Sequence, residues 1–81
     1  MRRPPEFFGD QELVLIYIAK RLREALKLEA ALTDAGLDYA VEADHYMGGV
    51  IFHRQRVGAF FYVLPEAEEA ARHLLDQHGY G

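Results

Sequence analysis

The chain contains no cysteine, which excludes a disulfide framework, a thiolate zinc site and a thiol nucleophile. No apolar run approaches the roughly 18–20 residues that a membrane-spanning helix requires. Met1-Arg2-Arg3 leads into Pro4-Pro5 rather than into an apolar signal core, so cytoplasm is the expected compartment and no membrane partner is expected. Positive charge is in short supply: nine Lys and Arg stand against thirteen Asp and Glu, a net charge of −4. That balance weighs against a protein whose main partner is a nucleic-acid backbone. GxSxG, HExxH, P-loop and dinucleotide glycine patterns are all missing, and the pair Gly48-Gly49 is too little to cradle a phosphate. The sequence therefore points away from an enzyme, and it calls for no cofactor.

What is present begins with Val57 to Leu64, VGAFFYVL, followed by Pro65-Glu66. Such a run of aromatic and β-branched residues is a buried strand. Proline ends its ladder and suits the first turn of a helix. Before it, Glu12 to Ala19 (ELVLIYIA) is a second buried strand, and Lys20 to Ala35 reads as a helix closed by Gly36. Leu22, Ala25, Leu26, Leu28, Ala31, Leu32 and Ala35 form that helix's apolar stripe. Leu37 to Asp44 alternates cleanly, with Leu37, Tyr39, Val41 and Ala43 on one face and Asp38, Ala40, Glu42 and Asp44 on the other. His45 to Gly49 reads as a loop, Val50 to His53 as a short strand, and Arg54-Gln55-Arg56 as the turn of a hairpin. Pro65 to His78 is a second helix, with Ala67, Ala70, Ala71, Leu74 and Leu75 as its buried stripe and Gly79 as its stop.

The order strand, helix, strand, strand, helix is that of an α+β, ferredoxin-like βαββα sandwich: a three-stranded antiparallel sheet with two helices on one face. Residues 1–11 would form an irregular arm carrying Phe7 and Phe8, and residues 12–81 a single domain. In this topology the first and last strands pair centrally and the Leu37 strand lies outside. The Glu12 strand is then left at an open edge unless the arm or another subunit covers it. A domain of this size has about 4–12 kcal/mol of stability, at about 0.05–0.15 kcal/mol per residue.

Period two places Val14, Ile16, Ile18, Leu37, Tyr39, Val41, Ala59, Phe61 and Val63 under the helices. Leu13, Leu15, Tyr17, Phe60, Tyr62 and Leu64 then share the opposite face, rimmed by Asp38, Glu42 and Asp44. Leaving Phe60, Tyr62 and Leu64 in water would forgo roughly 5–9 kcal/mol, at about 1.5–3 kcal/mol each. A second copy packed sheet to sheet is the expected cover, with Tyr17, Phe60, Tyr62 and Leu64 as its contact residues. An unidentified protein partner could use the same face.

The histidines give no metal signature. His73 and His78 are five apart on a helix and do not share a face, while His45 and His53 with a carboxylate lack any ligand spacing. Glu42 and Asp44 point the same way along one strand and read as its solvent face rather than a catalytic pair. Lys20, Arg21 and Arg23 crowd the start of the first helix, where the helix dipole disfavours cations. With Arg54 and Arg56 from the hairpin they form the candidate site for a small anionic ligand.

Two resemblances follow from these residues. Glu24-Ala25 through Ala31-Leu32 and then Ala35-Gly36-Leu37 resembles the EA…LL..AGI helix-to-strand signature of a small bacterial family. The likeness continues in the glycine-bearing loop at Gly48-Gly49, in Val63-Leu64-Pro65-Glu66 and in Ala70-Ala71-Arg72. That family is catalogued as prokaryotic signal-transducing proteins of unassigned function, with a ferredoxin-like fold related to the PII nitrogen regulators. The resemblance implies a non-catalytic signal-transducing or binding module and carries over no catalytic residue. Leu64 before the proline and the Phe-Phe arm are departures from it.

Ile16-Tyr17-Ile18 and Arg56 to Val63 are also similar to the two sheet motifs of the RNA-recognition motif. This would make Tyr17 and Phe60 stacking rings and Arg56 a phosphate contact in a single-stranded RNA-binding domain. Val57 stands where that motif has glycine, Val63 where it has an aromatic, and the acidic rim opposes RNA. The remaining alternative is a small dimeric ferredoxin-like enzyme with His45 or His53 beside a carboxylate, enclosed between sheet and helices.

Overall fold

The aromatic strand is the centre of the molecule. In the computed structural model, which describes residues 1–48 and 54–80, it runs Arg54–Val63 (β3) and is flanked on both sides. On one side lies Val14–Ala19 (β1), on the other Ala40–Gly48 (β2), and both pairings are antiparallel. Helix α1, Leu22–Asp34, and helix α2, Glu68–Gln77, pack on one face, the second preceded by a turn of 3-10 helix at Pro65–Ala67. The fold is α+β with a three-stranded sheet in the order β1-β3-β2, the ferredoxin-like arrangement the element order implies.

Both helices end in the same way. The amides of Gly36 and Leu37 donate to the carbonyls of Thr33 and Leu32, and those of Gly79 and Tyr80 to Asp76 and Leu75. This double closure needs a left-handed residue, and Gly36 (φ 75°) and Gly79 (φ 79°) supply it. Each motif turns the next side chain back onto the core, so Leu37 and Tyr80 both pack against it.

The core lies between sheet and helices. Leu28 and Leu32 of α1, Ala71 and Leu75 of α2, and Tyr39, Phe61 and Val63 from the sheet side are fully or almost fully buried. Tyr39 brings a hydroxyl into this layer and satisfies it at the rim. It donates to the Glu29 carboxylate at 3.1 Å and lies 3.3 Å from the Thr33 hydroxyl. Leu22 and Leu26 do not join the core stripe expected of them; both are exposed. The proposed stripe covered an arc of about 220° at 100° per residue, and a helix lying on a sheet buries a narrower one.

Four further expectations are corrected. His45 to Gly48 is strand rather than loop, because β2 stays paired with β3 down to Gly48 opposite Arg54. Arg54-Gln55-Arg56 accordingly belongs to β3 rather than to a turn, while the short strand at 50–53 lies outside the described residues. The period-two phase of β1 breaks at Ile16. Leu15 stands opposite Tyr62 and Tyr17 opposite Phe61, so one extra residue is bulged into β1 between them. Ile16 and Tyr17 therefore both pack with the core, and Ile18 moves to the outer face opposite Phe60.

The arm takes the other edge from the one in need of cover. Arg2 bridges Tyr39 in parallel, and the Arg3 amide donates to the Tyr39 carbonyl at 2.8 Å, so the arm begins beside β2. The Arg3 side chain adds a 3.0 Å ion pair with Asp38 and stacks over the Phe7 ring at 4.6 Å. Since β1 begins on the far side of the sheet, the arm must cross the sheet end, and its Pro5–Phe8 turn lies on that route. Phe8 (4% exposed) and Ala40 (2%) are buried without belonging to the helix-side core. Ala40 stands opposite Tyr62 on the outer face, one residue beyond the Tyr39 that the arm pairs with.

Candidate functional site

Two surfaces gather the chemistry-bearing residues. The first is the outer sheet face. Of the expected contact residues Phe60, Tyr62 and Leu64 are half-buried, Phe60 opposite Glu42 and Tyr62 opposite Ala40. Leu64 lies just beyond β3, as the residue entering the Pro65–Ala67 turn. Leu15 and Ile18 of β1 complete the apolar patch from the other side. Glu42 and Asp44 share this face, and partial burial together with these two carboxylates raises the Tyr62 phenol above its ordinary range. An approach by a polyanion would meet the same two charges.

Tyr17 is not on this face. The bulge turns it toward the helices, where its ring meets Tyr80 edge-on at a centroid distance of 5.1 Å. The Glu24 carboxylate lies on the same side and accepts the Lys20 amide at 3.3 Å. Burial first, and then the Glu24 carboxylate, push the Tyr17 phenol up to about 12. A stacking platform built from Tyr17 and Phe60 therefore does not exist on one face.

The second surface is the basic flank of α1. Arg21 and Arg23 are exposed, and with Lys27 they line a cleft of about 650 Å³ that reaches His78 and Tyr80 beyond α2. Glu24 and Asp34 share its walls, so the cleft is mixed in charge. Lys20 lies outside it and lines a smaller cleft of about 220 Å³ on the sheet side of α1, together with Arg21, Leu22 and Val57. Arg54 and Arg56 are placed on β3 by their backbone, and their side chains lie outside the described residues. Lys27 and the exposed Leu22, Leu26 and Val57 were not assigned to any site from sequence. The over-wide apolar arc of α1 was the signal that its two leucines could not all be core.

Among the described residues no three His, Asp or Glu side chains converge as metal ligands. His45 is exposed, and its proposed companion His53 lies outside the described residues. No described helix is long and apolar enough to cross a membrane. No protein-family model, curated protein or solved structure matches the chain.

Proposed function

We propose that the chain is a non-catalytic binding or signal-transducing module that works as a homodimer through its outer sheet face. The observation that carries this reading is the patch of Leu15, Ile18, Phe60, Tyr62 and Leu64, bordered among the described residues by Glu42 and Asp44. Aromatic anchors in a desolvated patch usually dominate such contacts, and a twofold axis would bury Phe60 and Tyr62 of both copies together. The acidic rim and the loss of Tyr17 from the face both oppose the RNA-binding alternative.

Light scattering on the wild type and on Phe60→Asp tests the reading. The expected result is a wild-type dimer and a folded Phe60→Asp monomer with an unchanged circular dichroism spectrum. A wild-type monomer, or a variant that remains dimeric, would remove the sheet face as the contact.

A further inference from the structure

We draw no further inference here: the strongest candidate, the open cleft of about 650 Å³ along the flank of α1, is lined by side chains of both charges (Arg21, Arg23 and Lys27 with Glu24 and Asp34) and, among the described residues, by no buried polar group, so nothing in the structure selects a ligand for it.

Discussion

At the scale of single residues, Tyr17 shows how one backbone irregularity redefines a side chain. A strictly alternating strand would set it beside Phe60; the bulge sets it beside Glu24 and Tyr80, with its phenol raised from 10.0 to about 12. A group whose folded pKa lies above its unfolded value favours the folded state in its protonated form. The Tyr17 contribution is therefore complete below about pH 10 and is lost as pH climbs through about 12. Denaturant unfolding at a series of pH values should show wild-type stability falling across that window, and falling less in Tyr17→Phe. Tyr39 and Tyr62 are shifted in the same direction, so the variant should retain part of the loss. Parallel curves for the two proteins would show that Tyr17 is not a source of it.

At the scale of elements, α1 is well made at one end and poorly made at the other. Its C-terminus is closed by two hydrogen bonds through Gly36, while its N-cap Arg21 offers the free amides no acceptor. Arg21→Ser should raise stability by about 1 kcal/mol, read as a higher denaturation midpoint. The elements differ in how far the sequence revealed them. The helix ends were plain because glycine marks a left-handed position at 36 and 79. The continuation of β2 to Gly48 was hidden, since His45, Tyr46 and Met47 carry no alternation and pairing with β3 alone keeps them extended. The bulge was hidden for a related reason: Leu15, Ile16, Tyr17 and Ile18 are all apolar, so either phase of the strand reads equally well. Of the candidate sites, the aromatic outer face was legible apart from Tyr17. The exposure of Leu22 and Leu26 was not, because exposure of a leucine is decided by the width of contact between helix and sheet.

At the scale of the molecule, the arm acts as a clasp that ties β2 to β1 across the sheet end. Its anchor is Phe8, and Phe8→Ala should cost about 3–5 kcal/mol. Against a total of about 4–12 kcal/mol at this chain length that is a large fraction. Calorimetry should show a much lower melting temperature; an unchanged melting temperature would mean that the arm is only loosely held. The open β1 edge is blunted differently, by its bulge and by the Arg72 guanidinium, which pairs with Glu68 at 2.8 Å and reaches the Leu15 carbonyl at 3.5 Å. The bulge also bears on how a lineage of such chains can change length. From Val14 to Ala19 β1 spends six residues on a span that β3 fills with five, from Val63 to Ala59. A one-residue deletion inside β1 can be absorbed by straightening the strand, with both flanking segments and the pairing at its two ends left where they are. The same deletion in β3 would throw two ladders out of step at once. Gains and losses of single residues are thus expected to collect in the first strand, and the third to keep its length.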